Sequence, residues 1–350
     1  MFTFERAAAA AAKARAANKV WPWSNSLRLT VGDGRATFSV AAPDYVFRCE
    51  APCDPSWRAN CVVDAATLSE LCALALVDHV EQPDPSALVL RQGGSVTRLR
   101  TLSDDLPDVV PAPPEGGLML ASAPLAQAVR WAAAAVSRDE VRPALAHVSL
   151  SWGGGQLLVE ASDGYRAHRV TRPLEAARRA GRALVHRSAL RAAHQALDAH
   201  PAAALSTGDE AQLWLVADAA SLYLRASEAR AQMRFFPLPY DMFQSASPFH
   251  VDADALRAAL KARLAEGAVG VHLRLEGGVL TVSAEGGTSQ LSAEGGDQEA
   301  HLNAQYLLDA LVGARRGERA ALSLDARSKC TVAARAGAYV AVVMPMEPRS

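Results

Sequence analysis

The chain has 350 residues, half of them hydrophobic and 21% charged, with a formal net charge of -1. That length exceeds one ordinary core and suits two or three domains of a soluble globular protein, and no apolar run approaches the ~18–20 residues needed to cross a bilayer. Near-neutrality argues against a protein that grips DNA through many phosphate contacts, since each contact uses a Lys or Arg, but it leaves room for basic charge gathered on one surface.

The N-terminal MFTFERAAAAAAKARAANK lacks a secretory apolar region and cleavage site and reads as mature protein. It opens a helix near residue 5, on which Arg6 and Lys13, seven residues apart, share a face. Further amphipathic helical segments begin near residues 64, 123, 187, 251 and 303, a recurrence of about sixty residues that marks an internal repeat. Short apolar stretches lead into them: CVV before Asp64, LML before Ser122, ALV before His186, FHV before Asp252 and HL before Asn303. Asp64, Ser122, Asp252 and Asn303 are placed to cap these helices, because their side chains can accept orphan amide protons.

Between the helices lie short runs of alternating or continuous apolar character. They include SLRLTV, ATFSVAA, VSLSW, QLLVEAS, AQLWLVAD, SLYLRAS, VHLRLEG, VLTVSAE, AALSLDA, CTVAARA and AYVAVVM, and turn signals such as GDG, GGG and EGG separate them. This is hairpin chemistry. The pattern predicts an α+β protein in which one helix and about four short strands recur six times. Two such units make a domain of helices packed on antiparallel sheets, giving three domains at 1–115, 116–245 and 246–350, with PAPPEGG (111–117) and QSASP (244–248) as joints.

Several helices carry a basic pair beside the apolar stripe. Arg257 and Lys261 lie beside Leu256, Leu260 and Leu264, and Arg187 and Arg191 lie beside Leu190, Ala193 and Leu197. The segment starting at Asp64 has no such pair. The five cysteines, Cys49, Cys53, Cys61, Cys72 and Cys330, are too few and too scattered for a disulfide framework. Cys49, Cys53 and Cys61 lack both a CxxC pair and a nearby His, so the set reads as reduced, partly buried thiols of a cytoplasmic protein rather than a zinc site.

The polar stretch EASDGYRAHRV, 160–170, poses the question of catalysis. QLLVEAS alternates like a strand, Asp163-Gly164 is a two-residue turn signal, and YRAHRV resumes the alternation. Tyr165, Ala167 and Arg169 then face one way and Arg166, His168 and Val170 the other. Ser162, Asp163 and His168, neighbours in one hairpin, cannot present hydroxyl, carboxylate and imidazole in line as a triad. GxSxG, P-loop and HExxH motifs are absent, and the GGG at 153–155 is a turn.

The stretch RPALAHVSLSWGGGQLLVEASDGYRAHRV resembles the second-domain signature of the bacterial DNA polymerase III β subunit, the sliding clamp. The matching residues are Arg142, Leu145, Ala161, Ser162, Asp163, Gly164, Tyr165 and Arg166. The C-terminal Val342, Val343, Met344, Pro345 and Met346 are similar to the family's near-terminal Val-Val-Met-Pro-Met, FFPLPYDMF to the segment closing its second domain, and MFTFER to its opening. The likeness follows the whole chain in order and is weak across residues 20 to 110.

The resemblance implies a non-enzymatic processivity factor without cofactor, metal or catalytic residue. Family members are ring-shaped homodimers whose chains meet head to tail, domain one against domain three of the partner, with helices lining a hole that holds duplex DNA by topology. The DNA-facing candidates, which come from the face argument, are Arg6, Lys13, Arg130, Arg187, Arg191, Arg257 and Lys261. In the family a groove between domains two and three takes short hydrophobic peptides from polymerases, the clamp loader and repair proteins. Carried over, it comprises Leu145, Ser162, Gly164, Tyr165, Arg166, Pro237, Val343, Met344, Pro345 and Met346, with Tyr240 and Met242 added by proximity. Departures from the family pattern are Ala167 in place of a leucine, which predicts a wider pocket, Glu347 in place of a basic residue, the added Leu238-Pro239, and the tail Pro348-Arg349-Ser350. They keep open a specialised plasmid, phage or repair clamp that serves as a hub for translesion or repair polymerases. A hydrolase built on Asp163 and His168 is the remote alternative. The expected location is the cytoplasm, associated with the nucleoid, with no membrane partner.

Overall fold

The computed structural model describes residues 2–15, 23–107, 109–114, 117–139, 141–174, 180–198, 201–207, 212–217, 219–224, 236–239, 241–244, 247–325, 329–334 and 338–347. Six α-helices occur among them: α1 Phe4–Ala14, α2 Ala65–Leu74, α3 Ser122–Ala133, α4 Leu190–Asp198, α5 Ala253–Ala265 and α6 Ala304–Ala310. Three or four strands follow each helix, which is the repeat read from the sequence. The side chains of Asp64, Asp252 and Asn303 accept the amides of Thr67, Ala255 and Tyr306 at 2.8, 2.8 and 3.0 Å, capping α2, α5 and α6. Ser122 departs from expectation: it is the first helical residue, and its buried hydroxyl finds no hydrogen-bond partner among the described residues.

The chain forms two compact units, Met1–Gln127 with Gly181–Ala231, and Ala128–Ala180 with Gln232–Ser350. In the first, eight antiparallel strands run in the order 59–64, 26–32, 35–41, 45–52, 220–224, 213–217, 202–207 and 118–121. A separate three-stranded sheet comprises His79–Asp84, Ala87–Gln92 and Ser95–Arg100. The alanines of α1 let it approach α2 and α4 closely; Ala7, Ala8, Ala11 and Ala14 are fully buried. Phe4 anchors its start edge-on against Phe38 and Trp57, and the Tyr45 hydroxyl donates to the Ala14 carbonyl at 2.7 Å, satisfying an acceptor at its end. The GDG signal is a tight hairpin in which Asp33 and Gly34 both take positive φ, 52° and 78°, as a two-residue turn requires.

The second unit holds eleven consecutive strands of one antiparallel sheet, ordered 147–153, 156–162, 166–173, 339–343, 330–334, 319–323, 249–252, 287–294, 279–284, 270–276 and 298–303. Leu256 and Leu260 of α5 are fully buried and Leu264 is half-buried, as the stripe predicts, and α5 packs against α6. Cys49, Cys61, Cys72 and Cys330 are buried thiols, and burial pushes Cys61, Cys72 and Cys330 up to about 11, 12 and 11. Of the expected joints, Glu115, Gly116, Ser245 and Ala246 lie outside the described residues. No helix among the described residues is long and apolar enough to cross a membrane.

Candidate functional site

Strand Gln156–Ser162 pairs with Arg166–Pro173, placing Ser162 opposite Ala167, and Arg166–Pro173 pairs in turn with Tyr339–Val343, placing Arg166 opposite Val343. The connection is a three-residue loop, 163–165, rather than the two-residue turn predicted at Asp163-Gly164. Local hydrogen bonding explains the extra length. The Asp163 carboxylate accepts the amides of Tyr165 and Arg166 at 2.9 and 3.0 Å, an Asx turn that competes with strand pairing. Ser162 Oγ accepts the Gly164 amide at 3.1 Å and donates to the Arg166 carbonyl at 2.8 Å. Gly164 has φ 91°, and a β-carbon there would sit 3.1 Å from Arg142 Nη1, so the position requires glycine.

This loop carries Tyr165 outward, 55% exposed, with the Arg142 guanidinium 5.8 Å from its ring centroid. Its backbone is stitched to the C-terminal segment: Met344 donates its amide to the Tyr165 carbonyl at 2.8 Å. Beyond it, Pro345 bridges to Leu302 and the Met346 amide donates to the His301 carbonyl at 2.7 Å. Met344 is 45% exposed, and Pro345, Met346 and Leu145 are half-buried. Leu145 lies close behind Gly164. Tyr165, Leu145, Met344, Pro345 and Met346 thus gather around one loop and one chain end and offer flexible, apolar contact surface.

Arg166 behaves differently. Its side chain is 11% exposed and bonded at two of its nitrogens. Nε donates to Asp163 at 3.0 Å, Nη1 donates to Asp309 of α6, and the guanidinium lies 4.3 Å over the Tyr306 ring. A cleft of roughly 740 Å³ opens here between the end of α3, the 163–165 loop and α6, and it mixes Arg138, Arg142 and Arg166 with Asp139, Asp163 and Asp309.

On the Ala167 side of the strands, Ala167, Val342 and Phe243 form a buried cluster, and Leu238, Met242 and Val340 pack against it. Phe243, Met242 and Leu238 pack around the small Ala167. A buried ion pair fixes this packing. Glu160 accepts Arg169 Nε at 2.7 Å and the Leu238 amide at 3.3 Å, while Arg169 Nη2 donates to the Leu238 carbonyl at 2.6 Å and its guanidinium lies 4.0 Å over Phe243. Pro237, exposed, stands at the start of this segment. Tyr240 and the tail 348–350 lie outside the described residues. Val343 is fully buried on the other face, and its neighbour Val342 shares the cluster with Ala167. Phe243 was absent from the expected site, Val342 was matched to the family pattern without being placed in the groove, and Ala167 and Leu238 entered only as departures from that pattern. Alternation along YVAVV carried the signal for Val342, because the residues facing Ala167 and those facing the interior must alternate.

His168 points into the core on the opposite face. It is fully buried, its Nδ1 lies 2.9 Å from the Trp131 carbonyl, and its Nε2 has no partner among the described residues. Burial holds it down to about 4. A neutral imidazole sealed in this way does not reach a substrate, which removes the geometry of a hydrolase built on Asp163 and His168. Among the described residues no group of three or more His, Cys, Asp or Glu is placed to hold a metal ion.

The basic residues expected to face DNA divide. Arg6, Lys13, Arg130, Arg191 and Lys261 are exposed on α1, α3, α4 and α5, while Arg187 is half-buried before α4. Arg257 is held within the fold: it pairs with Asp254 and donates to the carbonyls of Leu311 and Ala314 beyond α6.

Neither a protein-family model nor a curated relative matches the sequence. Solved structures match it from end to end. The DNA polymerase III β subunit of Thermotoga maritima superposes with a TM-score of 0.82 at 20% identity, covering 99% of this chain and 97% of that one. The β subunit of Streptococcus pyogenes DNA polymerase gives 0.83 at 16% identity, covering 99% and 98%. A Pseudomonas aeruginosa sliding clamp bound to griselimycin gives 0.82 at 20% identity, covering 99% and 97%. The chain has the fold of the bacterial β sliding clamps.

Proposed function

We propose that the chain is a DNA sliding clamp, a non-catalytic processivity factor. Two copies close head to tail around duplex DNA, and the ring tethers a DNA polymerase, a clamp loader and repair proteins through short hydrophobic peptides. The observation that carries this reading is the end-to-end clamp fold, and the assembly of Tyr165, Leu145, Met344, Pro345 and Met346 around one loop supports it. On this reading the three clamp domains are 1–115, 116–245 and 246–350, and the peptide groove includes Leu145, Ser162, Gly164, Tyr165, Pro237, Met242, Met344, Pro345 and Met346, with Val342 in place of Val343. Arg6, Lys13, Arg130, Arg191 and Lys261 face the DNA weakly enough to slide. Loading requires a separate ATP-driven protein, since the sequence has no P-loop.

Two open strand edges support self-association. Ser95–Arg100 pairs on one side only among the described strands, and so does the stretch 287–292 of the other unit. Open edges are templates for pairing. Beside the first lie Leu74, Leu76 and Val96, exposed at 80, 73 and 60%, because Gln92, paired with Ser95, holds the carbonyls of Leu71 and Ala75. Sedimentation equilibrium at micromolar concentration checks this: a mass twice that of the chain is expected, and monomer alone contradicts the ring. A specialised clamp serving repair or translesion polymerases is the second reading. The alanine at position 167, packed by Phe243, Met242 and Leu238 where the family pattern has a leucine, favours it.

A further inference from the structure

Residues directly opposite one another in an antiparallel sheet share a face. In the first unit one such row runs Ala41, Val46, Tyr223, Trp214 and Ser206 across five neighbouring strands. The chain between strands Ser95–Arg100 and Leu118–Ala121 is held along this face. Leu102 donates its amide to the Val62 carbonyl of edge strand Ala59–Asp64 at 2.7 Å, and Arg28 pairs with Asp104. Leu106 is buried on Ala41 and Val46, with Val110 packed beside it. Trp214 Nε1 then donates to the Pro111 carbonyl at 3.0 Å. A β-carbon on Gly117 would lie 2.4 Å from Ser206 Oγ, so glycine lets the chain come down on the far end of the row. Pro111, Pro113 and Pro114 favour extended backbone here, because each ring fixes φ and disfavours a helical residue before it. The row crosses the seam where Tyr45–Pro52 pairs with Ala220–Leu224. On the clamp reading that seam joins domain one to domain two.

We propose that residues 102–107 and 109–114 form a strap that locks this seam, anchored on one side by Leu106 against Val46 and on the other by Trp214, which stands opposite Tyr223. Two strands tied from both sides by one segment separate only when that segment lets go. The strap would bar bending between the first two domains; that consequence rests on the clamp reading, whereas the lock itself does not. Amide hydrogen exchange of the full-length protein reads the lock. Trp214→Phe removes the N–H donor and keeps an aromatic ring, and Leu106→Ala removes the other anchor. Each should speed exchange about fivefold to tenfold at residues 46–49 and 220–224 and leave strand Ala87–Gln92 unchanged. The double variant should exchange no more than about twice as fast as the quicker single one, because a strap freed at one end no longer holds at the other. Two unrelated packing losses would instead multiply. Val110→Ala, at a half-buried position, takes the place of Leu106→Ala should that variant fail to fold. Unchanged exchange at the seam, acceleration spread equally through the unit, or multiplied effects in the double variant overturn the proposal. If the protein sediments only as monomer while the seam behaves as described, the clamp reading fails and the strap stands.

Discussion

His168 shows how a residue that looks chemical can be structural. Its imidazole is fully buried against Trp131 and Tyr339, and burial holds its protonation down to about 4 against an ordinary 6.5. The unfolded chain therefore takes up a proton here before the folded one does. Stability is fully present above about pH 6.5 and is lost as pH falls toward 4, by roughly 3 kcal/mol if the full difference is realised. Urea unfolding at a series of pH values should show that slope, and His168→Gln should flatten it between those limits. An unchanged slope in the variant would place the acid sensitivity elsewhere. In the sequence, His168 could be assigned to a face by alternation, but its burial could not be read, because both faces of its strand are covered. Asp163 likewise read as a turn residue, yet its hydrogen bonds to two successive amides, which set the loop length, depend on geometry that no pattern of residue types specifies.

At the scale of elements, the helix repeat was legible because caps and apolar stripes are local. Asp64, Asp252 and Asn303 each sit one residue before a helix and bond three residues ahead. Long-range partners were not legible. Glu160 and Arg169 are nine apart and face each other across one hairpin, but nothing in the sequence says that they also hold Leu238 and lie over Phe243. That link joins the sheet to the 238–243 segment in the second unit. Glu160→Ala leaves Arg169 buried without its counter-ion, and loss of about 3–5 kcal/mol is expected. Denaturant unfolding measures it, and proteolysis should cut near residue 238 in the variant first. Replacing Glu160 and Arg169 together with apolar residues of similar volume should cost less than the single change, because no lone charge remains. A single change as mild as the double would show that the pair is solvated.

For the whole molecule, a charge of -1 and a DNA-directed role are compatible only if binding does not depend on many phosphate contacts. Five exposed basic residues on helices, Arg6, Lys13, Arg130, Arg191 and Lys261, would give weak, salt-sensitive attraction. On the proposed reading, encirclement would supply the remaining retention and permit movement along the duplex. The most direct test loads the protein onto closed circular DNA with the host's clamp loader, washes at high salt, and then cuts the circle once. The protein should stay on the intact circle through the wash and leave from the new ends after the cut. Release by salt before cutting, or retention on the linear product, would contradict a ring.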